Sequence, residues 1–291
     1  QTNGSVNTGG GGGGNDSSAS GGYSGAGGSG IVILRYPTAK VSSFAVTGTL
    51  DTVANTAYPI ANTAYYKLNG NANDSSGNGY NGTTSNVTYA AGRFGQATVF
   101  NGTNSVVTLP GNTSISQENN FSLSLWVKPN GFPNAYNTLI RFYSNFRNYA
   151  DIRPGGILGF NNSNNQIDTP SGTIQDGVWQ HVVMTKSSTT GTAIYVNGVS
   201  VVTDSSDTGP ASNFGAYNYT NDLGAYDSNQ AGSPNLSSLY NGSIDQFRIF
   251  SSVLSAANVI SLYNEATIIE SANGNDSILQ FKGGTGTITF S

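Results

Sequence analysis

The segment "YNGSIDQFRIF", residues 240–250, carries the carboxylate whose surroundings most need an explanation. Alternation along a β-strand would place Asp245 on one face together with Phe247 and Ile249. A buried carboxylate without a partner is very costly, so the pattern predicts a specific partner for Asp245. Backbone N–H groups at the start of the strand are one candidate.

Two further segments combine aromatic rings with carboxylates and amides, the groups that bind sugars by stacking and by hydrogen bonds. Residues 213–230 supply Tyr217, Tyr219, Asp222, Tyr226 and Asp227 as candidate glycan-binding residues. Residues 141–149 add Phe142, Tyr143, Phe146, Arg147 and Tyr149. The alternative is that these rings pack on the protein itself or at a protein interface.

Composition excludes several classes of function. The 291 residues have a formal net charge of −4 and no basic run, so no nucleic-acid partner is expected. The chain has no cysteine, and its one histidine, His181, excludes a zinc site with several His ligands. No apolar run approaches the ~20 residues needed to span a bilayer, so membrane insertion is not expected.

The sequence predicts four regions along the chain. Residues 1–40 form a Gly-rich module ending in a short strand, "GIVILRYP", which needs partners in this chain or in another copy. Residues 41–61 are a linker. Residues 62–264 alternate short strands with Asn-Gly turns such as Asn197-Gly198, typical of a β-sandwich or jelly roll. Residues 265–291 are a tail with a hairpin turning at Gly283-Gly284.

Local patterns predict individual elements within the third region. In "FSLSLWVKP", Phe121, Leu123, Leu125 and Val127 share one face of a strand, and Ser122, Ser124, Trp126 and Lys128 share the other. "WQHVVMTKS" and "TAIYVNGVSVV" predict neighbouring antiparallel strands. One helix is predicted in "LSAANVISLYNEA", with Ser255 as N-cap and a staple between Leu254 and Val259.

Five motifs in order resemble the laminin-G-like jelly rolls of the concanavalin-A-like lectin/glucanase superfamily. They are "YYKLNGNANDSSGNGYNGT", "GRFGQATVFNG", "FSLSLWVKP", "WQHVVMTKSSTTGTAIYVNGVSV" and "YNGSIDQFRIFSSVLSAANVISLYN", spread over residues 62–264. The resemblance implies an all-β fold of two antiparallel sheets packed face to face, with one short C-terminal helix. The Gly tract before "GSGIVILRYP" resembles the glycine-rich modules of phage tail and fibre proteins.

The resemblance also implies a structural Ca²⁺ where the opening and closing strands meet, with Asp245 as a ligand. The opening motif would contribute Asn69, Asn71, Asn73 and Asp74, because calcium prefers carboxylate and carbonyl oxygens. Catalysis is not expected. Glycan-cleaving relatives pair carboxylates on one strand as Glu-x-Asp-x-x-Glu, whereas the only Glu residues here, Glu118, Glu265 and Glu270, do not form that pattern.

Three functions follow in order of preference. The first is a non-enzymatic virion structural or adhesion protein (a phage fibre, tail or capsid-decorating subunit) at the virion surface. Its partners would be other copies of itself, other virion proteins and a cell-surface polysaccharide. The second is a secreted or cell-surface bacterial carbohydrate-binding module. The third, a glycan-cleaving enzyme, is disfavoured by the scarcity of Glu.

Overall fold

The computed structural model describes residues 32–37, 44–48, 61–110, 120–142, 147–163, 165–209, 221–227, 236–264, 268–273, 276–281 and 286–290. The elements in chain order are β1 (Val32–Pro37), β2 (Phe44–Gly48), β3 (Ala64–Tyr66), β4 (Thr83–Ser85), β5 (Thr88–Ala91), β6 (Gln96–Asn101), β7 (Val106–Leu109), β8 (Phe121–Pro129), β9 (Asn137–Phe142), β10 (Arg147–Arg153), β11 (Ile157–Ser163), β12 (Asn165–Asp168), β13 (Gln180–Ser187), β14 (Gly191–Val196), β15 (Val199–Asp204), β16 (Asn221–Leu223), β17 (Tyr226–Asp227), β18 (Leu236–Ser237), β19 (Asn241–Phe250), α1 (Ala256–Asn264), β20 (Ile268–Asn273), β21 (Asp276–Phe281) and β22 (Gly286–Phe290).

The chain divides into two compact units, one of residues Ile60–Ile260 and one that joins Gln1–Pro59 to Ser261–Ser291. The first unit contains two large antiparallel sheets. The front sheet has seven strands in the order β12-β11-β10-β9-β16-β7-β4. The back sheet has eight strands, in the order β15-β14-β13-β8-β19-β6-β5 with β3 also pairing with β19. This is the predicted two-sheet jelly-roll sandwich.

Alternation along the strands fills the space between the sheets. Phe121, Leu123, Leu125 and Val127 of β8 all join the hydrophobic core, as the pattern in "FSLSLWVKP" predicts. Phe121 of the back sheet meets Phe160 of the front sheet edge to face, with ring centroids 6.2 Å apart. The polar residues of the same strands therefore lie on the outer faces.

Hairpin and cap signals also have their predicted roles. Asn197 and Gly198 both adopt positive φ, 51° and 81°, in the two-residue turn between β14 and β15. At α1 the Ser255 hydroxyl accepts a hydrogen bond from the Asn258 N–H at 3.2 Å, which is the predicted N-cap. Leu254 and Val259, the two predicted staple residues, are both buried.

The predicted alternation of β19 is wrong at one point. Its register against β8 pairs Asp245 with Trp126 but Arg248 with Ser124, so β19 contains one extra residue. Gln246 forms this β-bulge and has a φ of 53°. The bulge turns Ile244, Phe247 and Ile249 towards the core and leaves Asp245 on the outer face.

The second unit corrects the prediction for the tail. Strand β1 pairs with β21 of the same chain, and β21 also pairs with β20. Strand β22 pairs with β2 in a separate two-stranded sheet, so the antiparallel pair of consecutive strands in the tail is β20 with β21 and not β21 with β22 across Gly283-Gly284. The physical reason is that both edges of β21 are already occupied. Within the described part of the chain, no helix is long and apolar enough to cross a membrane.

Candidate functional site

The carboxylate of Asp245 is held by the loop that precedes β6. Its Oδ2 accepts the Phe94 N–H at 2.8 Å, and its Oδ1 accepts a bond from the Gln246 side chain at 3.2 Å. A Cβ atom at Gly92 would lie 2.6 Å from Oδ2, so the loop approaches this closely only with glycine there. Burial raises the pKa of Asp245 to about 6, against the opposing hydrogen bonds. The partner of Asp245 is therefore the backbone of the "GRFG" motif.

The opening loop uses its oxygens in the same way. Asp74 accepts hydrogen bonds from the N–H groups of Tyr65, Ser76 and Tyr80 and from the Ser76 hydroxyl. Burial acts to raise the pKa of Asp74, but these bonds lower it below its ordinary value. Asn69 Oδ1 accepts the Gln96 N–H. Asn69 and Asp245 thus bind the same Gly92–Gln96 loop, each through a separate N–H group.

These contacts do not suit a shared cation. A calcium ligand must present its lone pairs to the ion, whereas the oxygens of Asp74, Asn69 and Asp245 accept N–H bonds. Among the described residues, no group of three His, Asp or Glu side chains could hold a metal ion. Calcium coordination here stays a prediction that the geometry does not support. A rise in melting temperature on adding Ca²⁺, absent from an Asp245→Asn variant, would establish it.

His181 forms a buried pair with Ser124, with Nε2 2.8 Å from the Ser124 Oγ. The His181 ring lies 5.2 Å from the Trp126 ring on the outer face of the back sheet. Burial, together with the charge of Arg248, lowers the pKa of His181 to about 3. A base that weak, closed off from solvent, is unsuited to activating a serine nucleophile.

A pocket lies beside the outer face of the front sheet, at Tyr226, one of the predicted glycan-binding residues. Its volume is about 220 Å³. Three tyrosine rings and three hydroxyl side chains line it, and we call it the tyrosine pocket: Tyr136, Thr138, Tyr149, Tyr226, Ser237 and Ser238. The Tyr149 and Tyr226 rings meet edge to face at 6.1 Å.

The backbone holds the rim of the tyrosine pocket in place. Ser238 has a φ of 51°, a left-handed conformation that is uncommon for a residue with a side chain. Its carbonyl accepts the Thr138 N–H at 2.8 Å, which connects the residue after β18 to β9. The rim is therefore determined by main-chain contacts, which favours a pre-formed site.

A row of polar side chains crosses the front sheet next to this pocket. Strand register places Asp222 opposite Arg141, Arg141 opposite Tyr149 and Tyr149 opposite Asn161. The Arg141 guanidinium lies 3.9 Å from the centroid of the Tyr226 ring. The structure thus brings Asp222, Tyr149 and Tyr226 to one face. Tyr217 and Tyr219 lie outside the described residues, and Asp227 is described only as part of β17.

A second row contains an ion triad on the same face. Arg153 donates from Nε to Asp151 at 2.9 Å and from both terminal nitrogens to Asp168. It reaches Asp168 by crossing Gly159, where a Cβ atom would lie 2.0 Å from Arg153 Nη2. Burial raises the pKa of Asp151 to about 6 even though Arg153 acts to lower it. Burial also acts to raise the pKa of Asp168, but the Arg153 bonds lower it overall.

Two buried oxygens on this face have no hydrogen-bond partner among the described residues, Asp151 Oδ2 and Asn161 Oδ1. Asp151 is the direct cross-strand partner of Thr138, and Asn161 is that of Tyr149. Both of those partners line the tyrosine pocket. Buried acceptors are normally satisfied, so a ligand with hydroxyl groups would supply what these two lack.

The sequence reasoning missed several residues of this region. Tyr136, Thr138, Ser237 and Ser238 come from loops and strand ends, which carry no local signal for a shared pocket. The sequence did hold one usable signal for Asp151. Alternation in "RNYADIR" places Tyr149, Asp151 and Arg153 on one face of a strand.

Comparison with known proteins agrees with this architecture. A sequence profile of the Concanavalin A-like lectin/glucanases superfamily matches residues 100–260. No curated protein matches the chain. Among solved structures, domain 4 of AbnA, an extracellular arabinanase from Geobacillus stearothermophilus solved with arabinotriose, is 25% identical with a TM-score of 0.53. The match covers 69% of this chain and 98% of that domain.

Toxin binding domains share the fold at lower identity. The binding domain of botulinum neurotoxin DC, solved with SialylT, is 17% identical with a TM-score of 0.55, covering 72% of this chain and 53% of that one. The binding domain of Paraclostridial Mosquitocidal Protein 1 is 18% identical with a TM-score of 0.52, covering 75% and 51%. The chain spans about half the length of these toxin domains. With the profile match extending over more than half of its residues, the chain belongs to the Concanavalin A-like lectin/glucanases superfamily.

Proposed function

We propose that this protein is a non-enzymatic carbohydrate-binding module and that the tyrosine pocket is its sugar site. The observation that carries the proposal is a pocket lined by three tyrosine rings and three hydroxyl side chains. Two buried acceptors without a partner, Asp151 Oδ2 and Asn161 Oδ1, belong to the residues directly across from two of its lining residues. Sugars present C–H groups that pack on aromatic rings and hydroxyls that donate to such oxygens. A volume of about 220 Å³ suits a single sugar residue rather than a long chain.

The comparisons support a binding role. The arabinanase domain was solved with arabinotriose, and the botulinum neurotoxin DC binding domain with SialylT. Each is described as a separate domain of a larger protein, and the two toxin matches are named as binding domains. We extend sugar binding from these proteins to this chain on the strength of the pocket.

The geometry gives hydrolysis little support. On the described part of this face, the two carboxylates that share a partner are Asp151 and Asp168, which both bind Arg153. Both terminal nitrogens of Arg153 bind Asp168, one to each of its oxygens. A nucleophile or base held in that way is poorly available to a sugar. The triad instead holds Asp151 in place opposite Thr138 of the pocket wall.

The test is binding to an array of glycans, followed by calorimetry on the strongest ones. Replacing Tyr226 or Tyr149 by alanine should weaken binding by roughly tenfold or more, because an aromatic anchor at the centre of a site carries much of the binding energy. Tyr89→Ala is the matched control, since Tyr89 is also half-buried but lies on β5 of the back sheet. Binding that survives both pocket substitutions would place the sugar site elsewhere.

Display of this module at a virion surface is the second candidate, and we keep it as a prediction. Its support is the Gly-rich segment of residues 1–30, which lies outside the described residues. A bacterial cell surface or the extracellular space is the alternative location. Light scattering distinguishes a virion subunit from a secreted module, because a fibre or decoration subunit should form stable multimers. A monomer at all concentrations would argue for the secreted module.

A further inference from the structure

We propose that the tyrosine pocket selects neutral, hydroxyl-rich saccharides and rejects those that carry a carboxylate or sulfate group. This inference rests on the proposed sugar-binding function and adds the chemical class of the ligand. It follows from two properties of this face. Its two described arginines already bind other side chains of the protein, and the two oxygens without a partner can only accept hydrogen bonds.

The first cation, Arg153, forms ion pairs with two carboxylates. Its Nε binds Asp151 and its two terminal nitrogens bind Asp168 in a bidentate pair. Gly159 leaves the space that allows the guanidinium to lie across β11. An incoming anion would have to displace a carboxylate that already binds both terminal nitrogens of Arg153.

The second cation, Arg141, is engaged in a different way. Its guanidinium stacks on the Tyr226 ring at 3.9 Å, and its cross-strand partner on β16 is the buried Asp222. Arg141 itself is 8% exposed. Stacking and burial leave it as a support for Tyr226 rather than as an open anion-binding group.

The groups without a partner next to the pocket have the opposite character. Asp151 Oδ2 is a carboxylate oxygen and Asn161 Oδ1 is an amide oxygen, so both accept hydrogen bonds. The hydroxyls of Thr138, Ser237 and Ser238 on the pocket wall can either donate or accept. The described charged side chains of this face comprise three aspartates and two arginines. A carboxylate or sulfate group on a ligand would therefore be repelled. Sugar hydroxyls, in contrast, can donate to the oxygens of Asp151 and Asn161.

A matched pair of probes tests the selectivity. Lactose and sialyllactose share the lactose core and differ by one carboxylate-bearing residue, and arabinotriose adds a neutral pentose. Calorimetry on the full chain should detect lactose or arabinotriose, with sialyllactose at least about tenfold weaker. The same ordering should appear on the array, where bound glycans should lack carboxylate and sulfate.

Two variants connect the selectivity to the residues. Asp151→Asn keeps the shape but removes the charge, so neutral binding should fall by about tenfold, as expected for losing a charge-assisted hydrogen bond. Asp168→Asn leaves the oxygens of Asp151 and Asn161 in place but removes the negative charge that the terminal nitrogens of Arg153 bind. Arg153 could then attract an anionic ligand, so the ratio of sialyllactose to lactose affinity should rise. Melting temperatures confirm that each variant is folded.

The outcomes separate this inference from the proposed function. Sialyllactose binding that equals or exceeds lactose binding and is lost in Tyr226→Ala would overturn the selectivity while upholding the sugar site. Absence of binding to every glycan of the array would overturn the sugar site itself. A ratio that does not change in Asp168→Asn would contradict the role given to Arg153.

Discussion

At the scale of single residues, Asp151 and Asp245 are the buried carboxylates with raised pKa values in the described part of the chain. Each has a pKa of about 6 because burial disfavours the charged form. Each carboxylate also has a specific contact. Asp245 binds the "GRFG" loop, and Asp151 binds Arg153 beside the tyrosine pocket. The protein therefore carries the cost of two buried charges at neutral pH.

This cost predicts a pH dependence of stability. An aspartate titrates near 3.9 in the unfolded chain, so a folded pKa of about 6 makes each charge cost about 3 kcal/mol above pH 6. The cost disappears as the pH falls from about 6 to about 4. Relative to the unsubstituted protein, Asp245→Asn should therefore gain up to about 3 kcal/mol of unfolding free energy between pH 4 and pH 7.

Urea denaturation at several pH values measures this difference. Asp151→Asn should show the same trend, and the double variant should show the two effects added because the sites share no partner. Asp74→Asn is the control of opposite sign, since the pKa of Asp74 is lowered in the folded protein. A difference between Asp245→Asn and the unsubstituted protein that stays constant with pH would show that Asp245 titrates normally.

At the scale of elements, the bulge at Gln246 and the "GRFG" loop act together. The bulge places Asp245 on the outer face of β19, and the loop then covers it with the Phe94 N–H. Arg93 and Phe94 also pack on Trp126, at 4.7 Å for the guanidinium and 5.8 Å for the ring. A strand irregularity and a loop thus form one structural unit.

Gly92→Ala tests this unit. A Cβ atom there would lie 2.6 Å from Asp245 Oδ2 and 2.7 Å from the Gln96 carbonyl, so backbone must move. We expect a loss of roughly 1–3 kcal/mol in unfolding free energy, the usual cost of overpacking. Gly209→Ala is the matched control, because nothing lies within 4 Å of its added Cβ and its change should be near zero. Equal stability of the two variants would refute the close approach.

At the scale of the sandwich unit, one buried ion pair connects the two sheets. Lys186 of β13 in the back sheet binds Asp207 Oδ1 at 2.7 Å, and both side chains are largely buried. Asp207 Oδ2 accepts a bond at 2.7 Å from Asn162 of β11 in the front sheet. The contact therefore bridges the two sheets next to the aromatic core, because Lys186 is the cross-strand partner of Phe121.

Asp207→Ala should be among the most damaging single changes. It leaves the buried Lys186 charge without its carboxylate partner, with only the backbone carbonyl of residue 207 as acceptor, and breaking such a pair costs roughly 3–5 kcal/mol. Asp204→Ala is the control and should cost far less, because Asp204 is only half-buried and bonds to the front sheet through the neutral side chain of Asn165. Thermal unfolding measures the melting temperatures of the two variants. A much larger decrease for Asp207→Ala supports the bridging role, and equal decreases would show that the ion pair contributes little to stability.

The sequence by itself determined what depends on neighbours along the chain. Alternation fixed the faces of β8, Asn197-Gly198 fixed a hairpin turn, and Ser255 fixed the start of α1, since each acts over a few residues. The family motifs extended this to the two-sheet fold. Clustering of aromatic and polar types in two segments drew attention to Tyr149, Asp222 and Tyr226, which lie on one face of the front sheet. Their role in glycan binding stays a prediction.

Only the tertiary structure decided which distant residues meet. The bulge at Gln246, the partners of β21 and β22 and the assembly of the tyrosine pocket depend on strand register. Register is set by packing across strands that are far apart in sequence, so no local pattern encodes it. Asp151 and Asn161 illustrate this, because their oxygens lack partners only once three neighbouring strands have been brought side by side.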